Sequence, residues 1–152
     1  MDPTSRYNEH RVSLTVRGDQ AFFAVPWTPL KLADRHAIAW EVPSVAGLSQ
    51  VYWEDELRKL HVFSWGQCWY GGLRGKLAEV IDQDHEPLQV RKKIIETRRL
   101  WYRYVLCESW GDLQDLFCLY EQIAHPKEPP PPSSGRFRLL HLRENSLTQA
   151  GP

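Results

Sequence analysis

Six histidines and three cysteines have the greatest capacity for metal binding or nucleophilic chemistry in this sequence, and they are widely scattered. The closest pairs, His61 with Cys68 and Cys118 with His125, each have six residues between them. Structural zinc sites space paired ligands by roughly two to five residues, so neither pair has the zinc pattern. Three cysteines cannot all pair within one chain, which favours free thiols in a reducing, intracellular compartment.

Catalytic and phosphate-binding motifs are also missing from the sequence. There is no GxSxG elbow, and GGLRGK at 71–76 lacks the spacing and the hydroxyl residue of a phosphate-binding loop. Cys107, Cys118, His125 and His85 could form a zinc site only where helices meet, and buried free cysteines with surface histidines explain the same residues better. We therefore predict a protein that is not an enzyme, with no metal and no cofactor.

The stretch from Pro87 to Pro126 combines basic and aromatic side chains that could contact nucleic acid. On a helix, Arg99, Tyr102 and Arg103 would lie close together and could stack on single-stranded nucleic acid. The chain has 19 basic and 19 acidic residues, whereas general nucleic-acid binders usually have a basic surplus. Nucleic-acid binding through these three residues is therefore the alternative, and the preferred interpretation is an amphipathic helix with a solvated basic face.

Seven tryptophans are the most unusual feature of the composition. Large aromatic side chains are enriched both in cores and at protein interfaces. A core rich in tryptophan explains most of them, but the stretch from Pro87 to Pro126 also carries apolar residues that a partner could contact. The candidate partner-binding residues are Leu113, Leu116, Phe117, Tyr120, Trp101 and Trp110.

The N-terminal half shows the period-two alternation of half-buried strands. Two hairpins are predicted, one around Gly18 and one around the charged segment EDELRK, although WEDELRKL could instead begin a helix. A glycine-rich, flexible connection is expected over 66–75. The predicted strands are Arg11–Arg17, Ala21–Val25, His36–Val42, Val51–Trp53 and Leu60–Trp65.

The C-terminal half changes to helical spacing. A short helix is predicted from Leu73, and a second begins after Pro87, with its apolar stripe running through Val90 and Ile94 to Trp101, Tyr104 and Val105. Ser109, three residues before Asp112, predicts the N-cap of a last helix that ends before Pro126. The fold class is therefore α+β, with an N-terminal antiparallel sheet (about 11–65) packed against two to three C-terminal helices.

The predicted organisation is a flexible tail (1–10), a globular domain (11–126), a proline-rich linker (127–135) and a C-terminal tail (136–152). Within the last part, RFRLLHLR at 136–143 is apolar enough either to pair with the sheet as an edge strand or to bind a partner. No signal peptide is recognised, and no apolar run approaches the roughly 18 residues of a membrane span.

Three segments carry a family resemblance: SWGQCW with LRGKL (64–77), LWYRYVLCES (100–109) and WGDLQDLF (110–117). In this order they resemble tryptophan-rich segments of the Vif family of lentiviral accessory proteins, in its visna and caprine form. The resemblance implies an adaptor that recruits a host elongin–cullin ubiquitin ligase to cytidine deaminases in the host cytoplasm or nucleus. It places the elongin contact on DLQDLF (112–117) or SGRFRLLHL (134–142).

A second set of segments resembles the Bcl family of apoptosis regulators. LTVRGD at 14–19 has the spacing of the death motif, and Trp65-Gly66 and ESWGDLQDLF (108–117) lie where that family has its groove motifs. We rank this resemblance lower because the region around 14–19 has a strand pattern, and Pro26 and Pro29 would break the required helix. The sequence thus predicts a non-enzymatic protein-binding adaptor, with a nucleic-acid-binding module or an apoptosis-regulator-like binder as alternatives.

Overall fold

The computed structural model describes residues 9–147, which form seven strands and four helices. This mixture confirms the predicted α+β class. The strands are β1 (Ser13–Arg17), β2 (Gln20–Val25), β3 (Lys31–Leu32), β4 (Gly47–Glu54), β5 (Leu60–Cys68), β6 (Leu100–Leu106) and β7 (Leu139–Glu144). The helices are α1 (Arg35–Glu41), α2 (Gly72–Val80), α3 (Gln89–Thr97) and α4 (Trp110–Ala124).

The larger sheet, sheet A, has the strand order β3–β6–β4–β5, and all its neighbouring strands are antiparallel. Successive side chains of a strand point to opposite faces, so the central strands contribute to two cores. Leu48 and Val105 pack with α4 on one face. Val51 and Tyr102 pack with α1 and α2 on the other face. Sheet A is therefore covered on both sides.

The smaller sheet, sheet B, has the order β1–β2–β7. Strand β2 is antiparallel to β1 and parallel to β7. The inner side chains of sheet B, among them Phe23 and Val25, join the core that contains α4. The other face of sheet B carries exposed side chains such as Thr15 and His141.

The predicted strand His36–Val42 is wrong, because this segment forms helix α1. Asp34 caps the helix by accepting a hydrogen bond from the backbone N–H of His36 (3.2 Å). Ile38 and Val42 are four residues apart, so they share a helix side as well as a strand face, and both are fully buried. Trp40, which a strand would place beside them, is instead 83% exposed.

The predicted long helix after Pro87 is also wrong in its second half. Helix α3 ends at Thr97, and Leu100–Leu106 is the central strand β6, hydrogen-bonded to β3 and β4. The segment LWYRYVL is rich in aromatic and branched residues that favour strands. Because both faces of β6 are buried, it has no polar alternation that would identify it as a strand.

Other predicted elements agree with the structure. Both hairpins are confirmed, with β4 and β5 longer than predicted, so that 66–68 belong to β5 and not to the glycine-rich connection. Helices at 73–80 and after Ser109 are confirmed as α2 and α4. Strands β6 and β7 extend the sheets beyond the N-terminal half, and β7 pairs with β2 as an edge strand.

Parts of the predicted tails, residues 1–8 and 148–152, lie outside the described residues. Between them, residues 127–138 contain no helix or strand and connect α4 to β7. No helix within 9–147 is long and apolar enough to cross a membrane.

Candidate binding surfaces

Helix α4 turns its predicted partner-binding leucines into the core. Ser109 caps the helix by accepting a hydrogen bond from the N–H of Asp112 (3.2 Å), as predicted. From that start, Leu113 and Leu116 point between the two sheets and have no exposed area. Both were predicted as candidate contacts, and the structure corrects this: they belong to the core and not to an accessible surface.

Phe117 and Tyr120 follow on the same helix and contact Trp65 of β5. The ring of Trp65 stacks on Phe117 at 5.1 Å between centroids and lies 5.6 Å from the ring of Tyr120. Phe117 is half-buried, and Tyr120 is 8% exposed. These two predicted contacts therefore serve mainly to pack α4 against sheet A.

Tyr120 also takes part in a polar cluster that ties β7 to the core. Its hydroxyl donates to the carboxylate of Glu144 and accepts from the indole N–H of Trp27 (3.2 Å), which also donates to Glu144 (2.8 Å). Burial, and then the hydrogen bond to Glu144, raise the pKa of Tyr120 above its ordinary value. The phenol stays protonated over the physiological pH range, so this cluster has a structural role: it holds β7 to the core.

The structure does not bring the three predicted nucleic-acid contacts together. Tyr102 and Arg103 are neighbours on a strand, so their side chains enter opposite cores, with 1% and 4% exposure. Arg103 donates to Gln50 (2.7 Å) and lies over the ring of Trp27 at 4.5 Å. Arg99 is exposed just before β6. The predicted arginine–tyrosine helix face therefore does not exist.

The two tryptophans predicted as contacts have different environments. Trp101 is half-buried on β6, where it pairs with Leu32 of β3. Trp110 is 48% exposed at the first position of α4 and packs edge-to-face against Trp69, with 5.3 Å between ring centroids. Tyr70, next to Trp69, is 92% exposed. We call Trp69, Tyr70 and Trp110 the aromatic patch.

The local sequence explains how the aromatic patch is placed. Strand β5 ends at Cys68, immediately before Trp69, and Gly71 and Gly72 then turn the chain into α2. Both glycines have positive φ (79° and 70°), a backbone conformation that other residues rarely adopt. A hollow of about 320 Å³ lies beside the rings, and Gln67, Lys76 and Glu79 line it with polar groups.

Tyr70 and Trp69 were missing from the predicted site. Their signal in the sequence is a pair of large aromatic residues directly before two glycines, at the end of a strand. That position lies beyond the last hydrogen-bonded pair of the hairpin, where side chains leave the sheet. The glycines of 66–75 predict a flexible connection, and such a pattern does not indicate that its aromatic residues form a surface patch.

The three cysteines are free and buried. Burial raises the pKa of the Cys107 thiol to about 11, and it also raises the pKa of Cys68 and Cys118. A protonated thiol is a poor nucleophile and a poor metal ligand at neutral pH. Within residues 9–147, no three histidine, cysteine or acidic side chains come together in an arrangement that could hold a metal ion.

These features define a small α+β domain with two sheets and an exposed aromatic patch. A protein-family model described as "Uncharacterised protein" matches residues 11–150, and the chain belongs to that family. No curated protein and no solved structure matches the chain. The resemblances to the Vif and Bcl families therefore stay predictions.

Proposed function

We propose that this chain is a protein-binding module that acts without catalysing a reaction, and that the aromatic patch contacts its partner. The observation that carries the proposal is the exposure of Tyr70 (92%) beside Trp110 (48%). Tryptophan and tyrosine are the residue types most enriched among interface residues that dominate binding energy. Two exposed rings beside the half-buried Trp69 therefore favour a contact site.

The surroundings of the aromatic patch support the same proposal. Lys76 and Glu79 border it with opposite charges, and protein interfaces commonly combine an aromatic centre with a polar rim. Trp69 and Tyr70 lie in the turn directly after β5, and Trp110 is the first residue of α4, so the patch adjoins two elements anchored in the core. Trp69 and Trp110 already pack against each other, so these two rings lose little conformational entropy on binding, which favours affinity.

Recruitment of a ubiquitin ligase, which the Vif resemblance implies, would need a different surface from the one that the resemblance suggests. Leu113 and Leu116 of DLQDLF are buried, so a partner could reach them only if α4 left the core. In the segment 134–142, Leu140 and Leu142 pack against the core, and Leu139 is 41% exposed. The adaptor proposal therefore rests on the aromatic patch.

Site-specific photocrosslinking tests this proposal. Benzoylphenylalanine would replace either Tyr70 or, as a matched control, Leu57, which is 78% exposed on the β4–β5 turn. We expect position 70 to crosslink one discrete protein in a lysate of the source organism, and position 57 to give no such adduct. With that protein purified, Trp110→Ala should weaken binding about 30-fold, because truncation of a central interface aromatic commonly removes about 2 kcal/mol or more.

Two results would contradict the proposal. One is the same adduct pattern from positions 70 and 57, since this would show no preference for the patch. The other is unchanged affinity of Trp110→Ala and Tyr70→Ala for the crosslinked protein, with unfolding midpoints equal to that of the parent chain.

A further inference from the structure

The outer face of sheet B consists of side chains that point away from the core. The inner side chains of its strands pack into the core, so alternate residues project outward. A hollow of about 390 Å³ lies over this face. The outward residues are Ser13, Thr15 and Arg17 of β1, Gln20, Phe22 and Ala24 of β2, and Leu139, His141 and Arg143 of β7.

At the centre of the outer face, three side chains form a stack. The rings of Phe22 and His141 lie parallel, with 4.4 Å between centroids and 8° between planes. The guanidinium carbon of Arg17 lies 5.6 Å from the centroid of Phe22. A hydrogen bond between His141 Nε2 and Gln20 Oε1 (3.0 Å) holds the imidazole in place. The stack is therefore preformed and does not need to assemble around a ligand.

The outer face also has a one-sided charge. Among its nine residues there are two arginines and one histidine but no acidic side chain. The two acids nearest along the strands are already engaged: Asp19 pairs with Arg138 (2.6 Å), and Glu144 accepts from Trp27 on the inner side. In a chain with no net charge, this face thus carries a local positive charge from Arg17 and Arg143.

We propose that the outer face of sheet B binds single-stranded nucleic acid. A nucleobase stacks on the Phe22–His141 pair, the guanidinium groups of Arg17 and Arg143 contact phosphates, and the hydroxyls of Ser13 and Thr15 hydrogen-bond to the sugar or base. Open sheets that carry aromatic residues bind unstacked bases in this manner, whereas a duplex keeps its bases inaccessible. This site lies on other strands than the aromatic patch and does not depend on it.

Fluorescence anisotropy with labelled ten-nucleotide strands of oligo-U and oligo-dT tests the proposal. We expect saturable binding that Phe22→Leu weakens about tenfold or more, because this change keeps apolar bulk but removes the stacking ring. Arg17→Ala with Arg143→Ala should reduce the slope of log K against log salt by about 1.4, or about 0.7 for each lost phosphate contact. Arg35→Ala, at a 70% exposed arginine on α1, is the control and should leave binding unchanged.

Each remaining outcome overturns the proposal. These outcomes are no saturable binding of either strand, equal affinity for a duplex or heparin, full competition by a mononucleotide at the same concentration as the strand, and an unchanged affinity of Phe22→Leu. Should Phe22→Leu shift the unfolding midpoint, His141→Ala at the exposed edge strand supplies the same comparison, and its unchanged affinity would equally contradict the proposal.

Discussion

Sheet A and sheet B are built from similar short strands but have opposite relations to solvent. In β6, at the centre of sheet A, six of seven residues are buried, whereas in β1 of sheet B four of five are exposed. Sheet A is enclosed by α1 and α2 on one side and by α4 on the other. Sheet B packs one face on the core and leaves the other free. We therefore expect a binding site formed by the face of a sheet to lie on sheet B and not on sheet A.

The largest expected effect compares two adjacent phenylalanines of β2. Phe23 points inward and is 2% exposed, while Phe22 points outward. Phe23→Ala should reduce the free energy of unfolding by about 3–5 kcal/mol, because it removes a buried ring and leaves a cavity. Phe22→Ala should reduce it by about 1 kcal/mol or less, since the ring is partly solvated. Urea titrations give both values, and equal losses would contradict the assignment of the two faces.

A smaller effect is expected at the hydrogen-bonded cluster around Asp115, which we call the tie. It holds the segment between α4 and β7 against α4. Asp115 of α4 is fully buried and accepts hydrogen bonds from the N–H (2.7 Å) and hydroxyl (2.9 Å) of Ser134 and from Arg136 (2.8 Å). Asp115→Ala should cost about 1–3 kcal/mol, because it removes the buried carboxylate that accepts hydrogen bonds from Ser134 and Arg136. Hydrogen exchange should then show faster exchange in β7 than in β4 or β6.

The matched control for this tie is the exposed ion pair of Asp19 with Arg138. Asp19→Ala should change stability by less than about 1 kcal/mol, because exposed pairs contribute little. Uniform acceleration of exchange across both sheets in Asp115→Ala would show that the tie does not act on sheet B in particular.

An effect smaller than those of Phe23→Ala and Asp115→Ala concerns alkaline pH and the cysteine buried beside α4. Burial raises the pKa of Cys107 from 9.0 to about 11. The unfolded chain therefore loses this proton at a lower pH than the folded chain, so stability falls as pH rises from 9 to 11. We expect Cys107 to contribute a loss of about 1–2 kcal/mol over this window. In Cys107→Ala the decline should be shallower, and an unchanged slope would contradict the contribution.

The same contrast explains what could be predicted from the sequence. The β1–β2 hairpin can be predicted from the sequence because one face of its strands is solvated. Val12, Leu14 and Val16 therefore alternate with polar residues. The helix predicted over β6 is wrong because burial on both faces of the strand removes that alternation. The strand predicted at α1 is wrong because Ile38 and Val42 fit both periods. The Asp34 cap and the exposure of Trp40 distinguish the helix from a strand.

The surfaces were harder to predict than the elements. Leu113 and Leu116 have the spacing of a helix face, but spacing does not say whether that face meets a sheet or a partner. The stack on sheet B joins Phe22 to His141, which are 119 residues apart in the chain. Their proximity depends on the parallel pairing of β7 with β2, a long-range contact that no local pattern encodes.

Hydroxyl-radical footprinting of the aromatic and histidine side chains tests the central contrast most directly. The free chain should show rapid modification of Phe22 and His141 and slow modification of Phe23 and Tyr102, in accordance with their placement on the open and covered faces. Addition of oligo-U should protect Phe22 and His141 and leave the modification of Tyr70 unchanged. Slow modification of Phe22 in the free chain, or no protection by the oligonucleotide, would contradict an open nucleic-acid-binding face on sheet B.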